Sequence, residues 1–155
     1  MPLNARHLAR WFLVALAVFL VVAQLVPVER SNPPSDPQQH LVARLSPPQN
    51  VAAVLDRSCR DCHTNETTWP WYSRVAPASW LLVHDVKEGR AHLNFSEWGK
   101  LNQRRAARKL EEVCEEVRSG AMPLGKYTLL HPSAKLQPAE VEAICGWTEG
   151  VLGKK

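Results

Sequence analysis

Cys59-Arg60-Asp61-Cys62-His63 is the stretch on which the reading of this chain turns. Two thiols one helical turn apart can each form a thioether with one of the two vinyl groups on a porphyrin edge. The histidine directly after the second thiol is then held beneath the ring, where an imidazole nitrogen can bind iron. C-x-x-C alone also occurs in zinc sites and thiol redox motifs. The contiguous His63, an export signal upstream and a candidate sixth ligand downstream favour one covalent haem c.

Upstream, residues 1–10 carry Arg6 and Arg10 and no acid, which reads as a basic cytoplasmic N-terminus. From Trp11 to Val26 the chain has no charge and only Gln24 is polar. As a helix this run spans about 24 Å, slightly short of a ~30 Å hydrocarbon core, and Pro27 and Val28 at the interface make up part of the difference. Residues 11–28 therefore read as a single transmembrane anchor. A cleavable signal peptide is the competing reading, since Val21-Val22-Ala23 suits cleavage. The positive-inside rule exports the rest of the chain in either case. Residues 29–40, with Pro33, Pro34 and Pro37, read as an extended polar linker, and residues 41–155 as one domain.

Within that domain, Pro47 and Pro48 suit a helix start and Val51, Val54 and Leu55 repeat at apolar helical spacing. After His63, the prolines and rings of residues 69–80 predict an ordered loop. Trp69, Trp71 and Tyr72 are candidates to cover a haem edge or to fill the core, and Arg74 to pair with a propionate. Ser79 to Glu88 predicts a helix ended by Gly89, followed by a turn with Asn94 or Ser96 as cap. Ala106, Leu110, Val113 and Val117 recur at 4-3-4 spacing and predict a helix over 103–119, capped by Gly120. Ala121-Met122-Pro123 then places a thioether in a loop just past a helix end, and Met122 is the candidate sixth iron ligand. His84, His92 and His131 are rivals for that position. Leu129 to Pro138 reads as an extended stretch handing over to a helix at Pro138, with Val141, Ile144, Cys145 and Trp147 as its buried stripe. Gly150, Gly153, Lys154 and Lys155 read as a frayed tail.

The formal charge of +4 carries no nucleic-acid signal, because residues 41–155 hold sixteen basic against thirteen acidic side chains. Arg104, Arg105, Arg108 and Lys109 are followed by Glu111, Glu112, Glu115 and Glu116, a pattern of i,i+3 and i,i+4 pairs on a solvated face or of a patch for an acidic partner. No Ser/His/Asp set, paired carboxylates or phosphate loop stands out, so no enzyme is expected.

Collectively these residues resemble the bacterial haem-binding domain proteins of the cytochrome c type. The likeness rests on the haem motif followed by Asn65-Glu66-Thr67, on Trp69-Pro70-Trp71-Tyr72, and on Ala76-Pro77-Ala78-Ser79-Trp80. It continues through Gly89-Arg90-Ala91-His92-Leu93-Asn94-Phe95-Ser96-Glu97-Trp98, Gly120-Ala121-Met122-Pro123 and Leu130-His131-Pro132, with Asn32-Pro33-Pro34 and the short anchor upstream. The resemblance implies an all-α, cytochrome c-like fold around one covalent haem, tethered to the outer face of the inner membrane. One departure is Gln137, which stands where a Ser or Thr cap is expected and predicts a less firmly started last helix. Cys114 and Cys145 lie in different predicted helices in an oxidising compartment and read as a disulfide, with two buried free thiols as the alternative.

With His63 and Met122 on the iron, the expected function is one-electron transfer in the periplasm with partners of a respiratory chain. The alternative is a haem-based sensor or gas- or peroxide-binding module whose sixth ligand is displaced.

Overall fold

With no charge between Trp11 and Val26, nothing interrupts an N-terminal helix, and α1 runs Ala5–Ala23. The computed structural model describes residues 5–153, among which all regular structure is helical and no strand occurs. The first four residues and the Lys154-Lys155 end of the expected tail lie outside the described residues. The helices after α1 are α2 (Leu41–Leu45), α3 (Gln49–Ser58), α4 (Arg60–His63), α5 (Ala78–His92), α6 (Gln103–Ser119), α7 (Gly125–Leu130) and α8 (Pro138–Val151).

The chain divides into two units. The first joins the chain up to Ser31 with Trp69–Asp85, and the second joins Asn32–Thr68 with the chain from Val86 on. In the first unit the helical bonding of α1 is prolonged beyond Ala23 by three i→i−3 bonds, the last from Val26 N–H to the Ala23 carbonyl. The Gln24 side chain pairs with the Ala76 backbone in both directions, donating to its carbonyl (3.1 Å) and accepting its N–H (3.0 Å). Trp80 Nε1 donates to the Val26 carbonyl (3.2 Å) and Arg30 donates to the Ser73 carbonyl (2.8 Å).

The second unit holds the main core. Helices α6 and α8 pack on each other, α3 packs on α8, and the 3-10 turn Phe95–Lys100 packs on α2. Leu41, Val51, Val54, Leu55, Phe95, Trp98, Leu110, Val117 and Ile144 are buried between them. Each such aliphatic or phenyl side chain contributes about 1.5–3 kcal/mol when fully withdrawn from water. A Cys114–Cys145 disulfide ties α6 to α8. Asn102 caps α6, its side chain accepting the Arg105 N–H (2.9 Å), and Gly120 ends the helix with φ of 75°, which a residue without Cβ adopts freely.

Several expectations need correcting. Gly89 does not end a helix: α5 continues to His92, and the glycine is there because of what faces it, described below. From Asn32 on, the 29–40 linker belongs to the second unit. Asn32 Nδ2 donates to the Thr67 carbonyl (3.0 Å), Ser35 Oγ to Glu66 (3.1 Å), and Pro37–Gln39 form a 3-10 turn. Proline-rich composition signals an extended strand but not whether a surface binds it. The 69–80 stretch is not all loop, since Trp71–Arg74 make a 3-10 turn after Pro70. The stretch from Leu129 is not extended either: Leu129 and Leu130 complete α7, and Pro132–Ala134 form a 3-10 turn. Helix α8 includes Gly150, so the tail begins later than composition suggests. Its start is firm despite Gln137, because the Glu140 carboxylate accepts the Gln137 N–H (2.8 Å) and is gripped at both oxygens by Arg57 (2.9 and 3.0 Å).

Candidate haem site

Helix α3 ends at Ser58 and α4 carries the motif, with the His63 N–H bonded to the Cys59 carbonyl (3.0 Å), so Cys59 and Cys62 lie within one helical turn. Neither is in a disulfide. Burial pushes the Cys59 thiol up to about 12, with a further push from Cys62 and a smaller opposing pull from Arg57. It is therefore a neutral thiol at physiological pH.

Helix α5 explains how the motif is held. A Cβ built on Gly89 would lie 2.6 Å from the Cys62 carbonyl oxygen and 3.2 Å from the Cys62 Cβ. Only glycine lets the α5 backbone come this close. Just past the end of α5, the Leu93 carbonyl lies 2.9 Å from His63 Nδ1. A carbonyl can only accept, so Nδ1 carries the proton and Nε2 keeps its lone pair. The ring stacks on buried Phe95, with centroids 5.9 Å apart. Burial lowers the His63 pKa, opposed in part by hydrogen bonds to the Leu93 and Gly89 backbone. The imidazole is thus neutral, oriented, and has one nitrogen available to a metal.

The loop after the motif is bonded back onto it. Thr64 Oγ donates to the Arg60 carbonyl (2.9 Å) and Thr67 Oγ to the Asp61 carbonyl (2.6 Å). The Thr68 N–H donates to the Asp61 carboxylate (3.0 Å). Arg90 spans the loop, donating to the Thr64 carbonyl (2.7 Å), Thr67 Oγ (2.8 Å) and Asn32 (2.9 Å). Asn94 donates to the Asn65 side chain (2.8 Å) and Ser96 Oγ accepts the Asn65 N–H (3.0 Å).

Met122 is half-buried in the turn after α6, where its N–H donates to the Glu116 carbonyl (3.1 Å). Five residues on, the Tyr127 hydroxyl donates to the free Asp61 carboxylate oxygen (3.2 Å), so α7 is joined to the motif helix. Among the rival histidines, His131 stacks on Tyr127 with centroids 4.5 Å apart, and exposed His92 lies 3.7 Å from Glu88. His84 is exposed and belongs to the other unit. So do Trp69, Trp71, Tyr72 and Arg74.

The chain matches the sequence profile of the haem-binding domain family over residues 18–150. It belongs to that family. No curated protein and no solved structure matches it. The match begins inside α1, so the family's unit takes in the 29–40 stretch as well as the domain expected from residue 41.

The residues of this haem-binding domain suit a haem. One imidazole nitrogen is left open and aimed by its partner's hydrogen bond, two cysteine thiols lie within a helical turn, and a thioether stands on a segment tied to the same helix. Among the described residues no three His, Cys, Asp or Glu side chains are grouped as a metal-ion site would require. Sequence reasoning missed Gly89, Arg90 and Tyr127. A glycine inside an otherwise helical run was the one available signal, because such a residue marks a close approach. Nothing in the sequence pointed Tyr127 at Asp61.

Proposed function

We propose that the protein is a membrane-anchored one-electron carrier of the c type, with haem covalently held by Cys59 and Cys62 and iron bound by His63 and Met122. The observation that carries this reading is the Tyr127–Asp61 hydrogen bond, which ties the segment following Met122 to the motif helix. The bond between the Met122 N–H and the Glu116 carbonyl anchors the same turn on α6. When bound, the haem supplies a one-electron Fe(III)/Fe(II) couple whose potential is raised by methionine ligation relative to two histidines. His63 contributes a neutral nitrogen, Leu93 fixes its orientation, and Phe95 keeps water from that face of the ring. With His63 and Met122 both holding the iron, no position would remain for a substrate, which favours electron transfer over an enzyme or a gas sensor. α1, apolar and 19 residues long, supports a single-pass anchor in the inner membrane, with the haem domain in the periplasm near respiratory partners.

The test is an optical spectrum of the protein made with haem-attachment machinery. The oxidised form should show the weak far-red band of sulfur ligation, and Met122→Ala should lose it, lower the midpoint potential and gain rapid carbon monoxide binding in the reduced state. A band that survives the substitution, or fast carbon monoxide binding by the unmodified protein, refutes the His/Met carrier. Haem staining on a denaturing gel reads covalent attachment separately, and Cys59→Ala with Cys62→Ala should abolish it.

A further inference from the structure

The first unit presents an apolar surface at the end of α1. Trp71 is 77% exposed, Leu81 57% and Val75 44%, while Leu25 and Val26 are exposed on the turn that closes α1. Residues 73–80 are joined to the chain just beyond α1 by the Gln24–Ala76 pair, by Trp80 on the Val26 carbonyl, and by Arg30 on the Ser73 carbonyl. The segment is therefore held at the level where α1 ends.

The uncharged run from Trp11 to Val26 reaches only about 24 Å as a helix, against a hydrocarbon core of ~30 Å. The shortfall falls at an end of the run, where further apolar side chains reduce the mismatch. Backbone leaving a helix at that depth must have its polar groups satisfied internally, and here Gln24 and Trp80 satisfy Ala76 and Val26. Tryptophan beside the end of a membrane helix suits the headgroup boundary, where its ring is apolar and its N–H wet.

We propose that Trp71, Val75 and Leu81 form an interfacial plate that inserts into the headgroup–acyl boundary of the bilayer crossed by α1. This rests on the reading of α1 as an uncleaved anchor, and the test separates the two. The haem-loaded full chain is reconstituted in phosphatidylethanolamine–phosphatidylglycerol vesicles, carrying p-benzoylphenylalanine in turn at positions 14, 71, 81 and 104. After illumination, mass spectrometry reads lipid adducts. Val14 reports on α1, and Arg104, exposed on α6, is the aqueous reference. The plate requires lipid adducts at 14, 71 and 81, those at 71 and 81 exceeding that at 104 by about tenfold or more, as expected of an interfacial ring. Adducts at 14 without those at 71 and 81 overturn the plate and leave the anchor standing. Absence at 14 overturns the anchor and the plate with it. Protein adducts in place of lipid at 71 and 81, or equal lipid yields at 104, also overturn it. Using both 71 and 81 guards against one variant that folds poorly, and a far-ultraviolet circular dichroism spectrum matching the unmodified protein identifies the folded samples.

Discussion

A methyl group at position 89 would collide with the Cys62 carbonyl oxygen, and because that oxygen is backbone it cannot swing aside. Alanine is the better helix former by about 1 kcal/mol. Overpacking against backbone costs about 1–3 kcal/mol and wins where the neighbour cannot yield. Gly89→Ala is therefore expected to lower the unfolding free energy by about 1–2 kcal/mol, read by chemical denaturation, and to reduce haem content during maturation. The sequence marked this glycine as a helix terminator because local signals cannot distinguish a glycine that stops a helix from one that admits a neighbour. By contrast, Cys59, Cys62 and His63 were singled out by adjacency along the chain, before any fold was known. His63's orientation was not legible there. It depends on the Leu93 carbonyl thirty residues away.

At the scale of elements, α8 is joined to its neighbours by two devices. The Glu140 carboxyl is held below its usual value by its hydrogen bond with Arg57 and then by the Gln137 N–H. A carboxyl lowered in the folded state adds stability above its unfolded pKa, and that contribution disappears as pH falls through the folded value. Glu140→Gln should thus cost about 0.5–1 kcal/mol at neutral pH, as for an exposed bidentate pair with a capping share. The difference from the unmodified protein should vanish in acid below the ordinary carboxyl range, which denaturation at a series of pH values measures. The second device is the Cys114–Cys145 bridge, closing a separation of 31 residues between α6 and α8. Loop-closure entropy assigns it about 3–4 kcal/mol. Reductant, or Cys114→Ala with Cys145→Ala, should lower the denaturation midpoint accordingly without removing the haem stain. Helix α6 was legible from its 4-3-4 repeat and its glycine end. α7 was not, since its six residues are too few to display a period.

For the whole molecule, the expectation is that α1 stays attached. The full chain should sediment with membranes and resist alkaline carbonate, and truncation after Val28 behind a cleavable export signal should release a soluble, haem-stained product. A mature N-terminus found after Ala23 would mean a signal peptide instead. Composition and motif by themselves determined the helical class, the apolar N-terminal helix and the haem-binding assignment, because each depends on residues near one another in sequence. Tertiary structure alone decided that Asn32 to Gln39 is bound to the second unit and that 69–85 groups with the N-terminal chain. It also decided that Arg90, Asn94 and Tyr127 fasten the motif loop. Those outcomes rest on hydrogen bonds between residues dozens of positions apart, and the polar side chains that make them carry no periodic mark of which partner they will meet.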